Sequence, residues 1–301
     1  MKEISPETSC FICKNRHEDV RQLALQASKY PDVNMAEAVV QIAGWQIAEK
    51  KIPLWAQTEG VRYPQHLSME QCSSEVTARY KASLVKGDSF ADLTAGLGVD
   101  FSFIARNFNQ ADYVERQEVL CELAQHNFPL LGLNHVRIHQ ADGTEFLKTM
   151  KPVDCLFLDP ARRDSNGGKT VLIADCEPDV CALEDLLVER AHTVMIKLSP
   201  MLDMASALNE LKYVSEIHIV AVNNECKELI IILDKGESEG KSIDNEVVMF
   251  TKTFSSLIRH DVFITDSIEM LGKITNNEIY KDIIKELSLI HISEPTRPLY
   301  I

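Results

Sequence analysis

Along this chain the rhythm of apolar positions changes once, near Ser89. Before it the spacing is helical: Val20, Leu23, Ala24 and Ala27 recur every three or four residues, and Asn34 followed by Glu37 reads as a helix start. The apolar face behind that start is Val39, Val40, Ile42, Ala43 and Ile47. Ser68 followed by Gln71 repeats the capping-box pattern and predicts a helix through about Leu84. Between them, residues 52–56 and Tyr63-Pro64 predict an extended connector.

After Ser89 short apolar runs alternate with helical segments. Strands are predicted at 90–93, 112–115, 136–140, 155–158 and 193–197, and helices at 101–107, 119–131, 182–190 and 204–211. Runs at 217–222 and 228–233, joined by residues 223–227, read as a closing hairpin. Strand–helix alternation implies a parallel, doubly wound α/β sheet of Rossmann-like type, here with a C-terminal antiparallel hairpin and a small helical domain in front. The expected organisation is a helical domain over 1–82, the α/β domain over 83–235 and a partial C-terminal region over 236–286. In that last region residues 235–245 read as a loop, 247–253 as one more strand and 277–287 as a helix.

Composition narrows the class. Hydrophobic residues make up 45 % of 301, enough for a sizeable core. The opening Met1-Lys2-Glu3-Ile4-Ser5-Pro6 carries no apolar signal region, and no run reaches the roughly 18 apolar residues a membrane span needs. Eight cysteines lack a framework spacing, which points to reduced thiols and a cytoplasmic setting. A net charge of −14 opposes broad, unspecific nucleic-acid binding but leaves room for a local basic patch. Leu-Ser-Leu-Ile-His-Ile-Ser-Glu-Pro-Thr-Arg at 287–297 resembles the in-frame translation of a sequencing-library adapter. Residues 287–301 are therefore expected to be an artefact that replaces a lost C-terminus, the alternative being a genuine frayed tail.

The chemistry concentrates at strand ends. Asp92-Leu-Thr-Ala-Gly-Leu-Gly98-Val-Asp100 follows the first strand, and glycines there let a backbone approach a ligand before turning into a helix. A tight turn with no ligand would look the same. A nicotinamide dinucleotide site would want a third small residue where this chain has Phe101. Glu115 ends the second strand, where a carboxylate can accept both ribose hydroxyls of a nucleoside or simply face solvent. Asp142 follows the third strand; it can accept from an adenine amine or serve as a turn residue before Gly143. Asp159-Pro160 follows the fourth. Four ligand-competent strand ends in order fit the rule that doubly wound sheets bind at the carboxyl ends of their strands.

These residues resemble class I S-adenosylmethionine-dependent methyltransferases. More narrowly, the chain resembles a bacterial family that carries a C-terminal THUMP-like domain. The likeness rests on Asp19-Val-Arg-Gln-Leu-Ala-Leu-Gln26, Gln41-Ile-Ala-Gly-Trp-Gln-Ile-Ala48, Tyr63-Pro-Gln-His-Leu67 and Glu70-Gln-Cys-Ser-Ser-Glu75. It continues through Tyr113-Val-Glu-Arg-Gln117, His126-Asn-Phe-Pro129, Phe157-Leu-Asp-Pro-Ala-Arg-Arg-Asp164 and Ile173-Ala-Asp-Cys-Glu-Pro-Asp179 to Lys197-Leu-Ser-Pro-Met-Leu-Asp203 and Val222-Asn-Asn-Glu-Cys-Lys-Glu-Leu229. It spans residues 11–235. The resemblance implies S-adenosyl-L-methionine as cofactor and RNA as substrate. Thr94, Gly96 and Gly98 would cradle the methionine end, with Asp92 and Asp100 as partners for its ammonium and Ser73, Ser74 and Glu75 lining the pocket. Glu115 and Asp142 would take the ribose and adenine.

Asp159 and Pro160 resemble the Asp-Pro motif that amine-methylating enzymes set beside their target, so they are the expected catalytic pair. Many such enzymes follow it with proline and an aromatic; here Ala161-Arg162 stand there, with no ring to stack on a flipped base. Asp-Pro-Ala-Arg is also similar to enzymes that methylate carbon 5 of uridine. Those need a cysteine nucleophile in a later loop, and the residues around Cys226 do not match that motif. Arg162, Arg163 and Lys169 form a basic loop suited to phosphate contacts or to surface ion pairs, and Lys197 and 223–225 end later strands on the same rim. Cys10, Cys13 and His17 make half of a zinc pattern with no second pair, so no metal is expected. Other readings stay open: a methyltransferase acting on a small molecule or a protein, favoured by the acidic charge, and a silent binding module that keeps the fold.

Overall fold

The computed structural model describes residues 3–64, 66–162, 173–200, 202, 207, 210–223 and 225–238. They fall into two compact units that divide between Phe157 and Leu158.

The first unit opens with helices α1 (Pro6–Asn15), α2 (Val20–Leu25), α3 (Met35–Lys51), α4 (Pro53–Gln57), α5 (His66–Gln71) and α6 (Glu75–Leu84). The predicted start of α3 holds. Asn34 accepts from the Glu37 N–H at 3.3 Å and its amide donates to the Glu37 carboxylate at 3.2 Å, a reciprocal cap. Phe11, Leu23, Met35, Ala38 and Ile42 bury one face of α1, α2 and α3 in a common cluster. Two predictions need correction. Ser68 lies inside α5 rather than before a long helix, and the helix that reaches Leu84 is started by Ser74, whose hydroxyl accepts from the Thr77 N–H at 3.3 Å. The connector after Lys51 is also not extended throughout, because Pro53 at a first-turn position opens the short α4.

Strands β1 (Ser89–Asp92), β2 (Gln110–Glu115), β3 (Val136–Gln140) and β4 (Val153–Leu158) follow, with α7 (Val99–Ile104), α8 (Glu118–Leu130) and α9 (Gly143–Thr149) between them. β1 pairs in parallel with both β2 and β4, and β2 with β3. Connections therefore run outward from β1 in one direction and return to β4 on its other side, which makes the end of β1 a topological switch point. Phe101 is buried and packs 5.2 Å from the Phe128 ring and 5.4 Å from Tyr113. The bulk that spoils a dinucleotide fingerprint thus fills the core between α7, α8 and β2. Helix α9 was not predicted.

The second unit carries β5 (Ala161–Arg162) paired antiparallel with β6 (Cys176–Glu177), then α10 (Val180–Arg190), β7 (Ala191–Leu198), β8 (Val214–Val222) and β9 (Glu225–Leu233). β9 is antiparallel to both β7 and β8, the predicted closing hairpin. Its turn is tighter than the sequence suggested: β9 begins at Glu225, and Asn223 takes φ +52°, a left-handed conformation that asparagine tolerates. The sheet order is β3-β2-β1-β4-β7-β9-β8, a seven-stranded mixed sheet of the Rossmann-like α/β class. The predicted helix at 204–211 lies largely outside the described residues; the strand at 247–253 and the helix at 277–287 lie wholly outside them.

Candidate functional site

The glycine turn after β1 is built by hydrogen bonds that continue the sheet beyond its strands. Leu93 N–H donates to the Phe157 carbonyl and Ala95 N–H to the Val114 carbonyl, each at 3.1 Å. Buried Asp92 closes the turn by accepting from Thr94 N–H at 2.9 Å. Gly96 and Gly98 then take φ of +55° and +83°, where a side chain would be strained. At Gly98 a Cβ would also stand 2.8 Å from the Phe128 ring, so the close approach itself requires glycine.

Glu115 meets this turn from the end of β2. It is buried, its Oε2 accepts from Gly96 N–H at 3.0 Å and its Oε1 from Gln117 N–H at 2.8 Å. Tyr113 donates its hydroxyl to the Gly96 carbonyl from the same strand. Burial, reinforced by the Glu115 charge, pushes that phenol well above its ordinary range and keeps it a neutral donor. Asp92, Thr94, Gly96, Gly98 and Glu115 are thereby brought together.

Asp100 comes with a partner that sequence reasoning missed. Lys81 on α6 is fully buried and its Nζ lies 3.0 Å from Asp100 Oδ1, while Ser73 donates to Oδ2 at 2.7 Å. Expected as a partner for a ligand ammonium, Asp100 already holds a protein ammonium. The available signal was spacing: Thr77, Ala78 and Lys81 share the face of α6 that turns inward. Of the other α6 polars, Ser74 is the cap and Glu75 accepts from Leu54 N–H at 2.7 Å. Asp142 is exposed and caps α9, accepting from Thr144 and Glu145 N–H at 2.9 and 3.1 Å. Gly143 beside it leaves no space for a side chain, since a Cβ would fall 2.0 Å from the Leu93 carbonyl oxygen.

In the second unit, Asp159 sits half-buried just past β4, with Pro160 buried behind it. Lys197 near the end of β7 donates to Asp159 Oδ2 at 2.5 Å and is the more buried partner, with 14 % of its side chain exposed against 41 %. The sequence marked both residues and did not join them. Arg162 lies in β5; Arg163 and Lys169 lie outside the described residues.

Cys226 is buried in β9, and burial, aided by Glu228 and Glu225, pushes its thiol up to about 12. A thiol held that high stays protonated at pH 8, which disfavours a nucleophile. Native protein treated with iodoacetamide at pH 8 is expected to be labelled at exposed Cys10 and Cys13 and not at Cys226, read by peptide mass spectrometry. Fast labelling of Cys226 would restore the nucleophile reading. Of the half zinc pattern, Cys10 and Cys13 lie on α1, and the His17 ring packs edge-on to Trp45 at 4.9 Å.

No family model and no curated protein matches the chain. Among solved structures it is similar to a proposed methyltransferase of Porphyromonas gingivalis W83, at 32 % identity and a TM-score of 0.68, over 79 % of this chain and 60 % of that one. The chain thus spans less than two thirds of that protein's length. Similarity to the tRNA methyltransferase TrmK of B. subtilis is more distant, 16 % identity and a TM-score of 0.43 over 71 % of this chain and 94 % of that one. TrmK of M. capricolum, solved with S-adenosylhomocysteine, gives 11 % and 0.45 over 71 % and 93 %.

Proposed function

We propose that this protein is a cytoplasmic S-adenosyl-L-methionine-dependent methyltransferase of the THUMP-like-domain family and that its substrate is RNA. The observation that carries the reading is the junction of two strand ends: a buried Glu115 carboxylate hydrogen-bonded to the amide of a turn whose two glycines have positive φ. The similarity to the Porphyromonas gingivalis protein supports it.

The residues fit the cofactor. A turn that excludes side chains at Gly98 and ends against an acceptor carboxylate suits a ligand with a flat sugar diol and a charged amino-acid end. Gly96, Gly98 and Thr94 would hold the methionine end with Asp92 and Asp100 behind them, Glu115 the ribose and Asp142 the adenine. When bound, S-adenosylmethionine supplies a methyl group already activated on a sulfonium, so most of the catalytic work is placement. Asp159 and Pro160 would do that placing. An Asp159 oxygen can accept a hydrogen bond from the acceptor base, Lys197 fixes the carboxylate by holding Oδ2, and the proline restricts the backbone beside it. Arg162, Arg163 and Lys169 would contact phosphates. The net charge of −14 favours the second reading, a small-molecule or protein acceptor.

Calorimetric titration with S-adenosylhomocysteine tests the cofactor, with micromolar binding expected, and tritiated methyl transfer into total RNA against protein tests the substrate. Asp159→Ala is expected to stop turnover while changing S-adenosylhomocysteine affinity by less than about tenfold, or about 1.4 kcal/mol. Surviving turnover would remove Asp159 from the mechanism, and folded protein with no cofactor binding would leave a silent module.

A further inference from the structure

Away from the glycine turn, the first unit holds a cavity of about 490 Å³, within the range of small-ligand sites. Its walls come from α1, α3, α8 and the segment between α4 and α5, and they include Arg16, Trp45, Glu59, Arg62, Tyr63 and His126.

The segment that forms one wall is held at several points. Asn127 accepts from Arg62 N–H at 2.9 Å and donates to its carbonyl at 2.8 Å. Gln41 does the same for Tyr63, at 2.9 and 3.0 Å. The His126 ring nitrogen lies 2.8 Å from the Gly60 carbonyl. Tyr63 can lie flat against α3 only because Gly44 has no side chain; a Cβ there would come 2.2 Å from Tyr63 Cβ. Side chains from two helices thus fix an irregular segment into a preformed wall, and preformed walls spare a ligand the cost of ordering them.

The lining is opposite in sign to the chain. The protein carries −14, yet the cavity's charged side chains are Arg16 and Arg62 against Glu59, with His126 beside them. The Arg16 guanidinium carbon lies 4.9 Å from the centre of the Trp45 ring and the His17 ring meets the same indole edge-on, so a cation and an aromatic group line the cavity together. Trp45 donates its own N–H to the carbonyl of Ala56, another lining residue, at 3.0 Å and is held in place by that bond. A rigid pocket with two guanidinium groups and an aromatic plane matches one unit of a single-stranded nucleic acid: a phosphate for the cations, a base for the flat surface.

We infer that this cavity binds a nucleotide of single-stranded RNA, through Arg16 and Arg62 on phosphate and through Trp45 on the base. The choice of RNA rests on the function proposed above. The cavity is then a docking site for substrate apart from the cofactor turn. Helix α8 serves both, giving His126 to the cavity wall, Asn127 to the Arg62 backbone that forms it and Phe128 to the underside of Gly98.

The test is fluorescence anisotropy of the purified chain with a labelled single-stranded RNA of about a dozen nucleotides, repeated across a salt series. Arg16→Gln/Arg62→Gln is expected to bind at least about tenfold more weakly, with a salt slope shallower by about 0.7, the single-strand increment for the one phosphate they hold. Trp45→Leu is expected to lose about tenfold with the slope unchanged. Both variants should keep the wild-type urea midpoint, which shows that they fold. RNA affinity unchanged in both variants, or no RNA binding by a chain that binds S-adenosylhomocysteine, overturns the inference and leaves the cofactor reading intact. Adenosine monophosphate bound as tightly as RNA overturns RNA as the occupant and makes the cavity a mononucleotide site. Pocket-dependent RNA binding without S-adenosylhomocysteine binding supports the inference while removing the methyltransferase reading.

Discussion

Lys81→Met is expected to cost about 3–5 kcal/mol of folding stability, read as a lower urea midpoint at unchanged slope. Lys81 has no solvent-exposed side-chain surface, and its ammonium stands 3.0 Å from Asp100, of whose side chain only 10 % is exposed. Removing the cation leaves a desolvated carboxylate beside the Ser73 hydroxyl, which donates to it at 2.7 Å. The double variant Lys81→Met/Asp100→Asn should recover most of the loss, because an amide tolerates burial that a lone carboxylate does not. A loss below about 1 kcal/mol in the single variant would mean that the pair contributes no more than a surface ion pair. The consequence reaches the candidate site. Asp100 lies two residues past Gly98, so a carboxylate that swings toward water takes the first turn of α7 with it, and cofactor affinity should fall alongside stability.

Glu115→Ala is expected to abolish S-adenosylhomocysteine binding, a loss of at least about 100-fold. Hydrogen bonds to a charged acceptor are worth about 1.5–3 kcal/mol each, and two ribose hydroxyls would give up one apiece. Glu115 also accepts from Gly96 and Gln117 N–H, so the alanine variant loosens the turn as well. Glu115→Gln separates the two effects, since its amide oxygen can still accept from Gly96 while the charge is gone. Affinity within threefold of wild type for Gln and lost for Ala would assign Glu115 to holding the turn. Loss in both assigns it to the ligand, and affinity retained in both sinks the cofactor assignment.

Much of the scaffold was legible because its signals are local. The period of apolar residues placed every strand of the sheet to within a few residues: β3 at 136–140 coincides with its prediction, and β7 ran a little longer at each end. Asn34 with Glu37 announced α3 because a cap is a contact between residues three apart. Where local signals competed, they misled. Ser68 and Gln71 satisfied a capping pattern that Ser74 fulfils instead, with no difference in spacing to choose between them. Helix α9 was overlooked because Asp142 read as a turn residue, when its carboxylate caps the helix that follows.

The sequence by itself determined the order of the seven sheet strands, the strand ends that carry Asp92, Glu115, Asp142 and Asp159, and the need for glycine in the turn. All of these follow from periodicity and backbone conformation within a few neighbouring residues. Only the tertiary structure decided which side chains meet. Lys81 with Asp100, Lys197 with Asp159, Glu115 with the Gly96 amide, and the pinned wall that sets Arg62 and Arg16 around one cavity all join residues 19 to 46 positions apart. The physical reason is that a charge or amide finds its partner through folded space. An ion pair's energy depends on distance and burial, and spacing along the chain encodes neither.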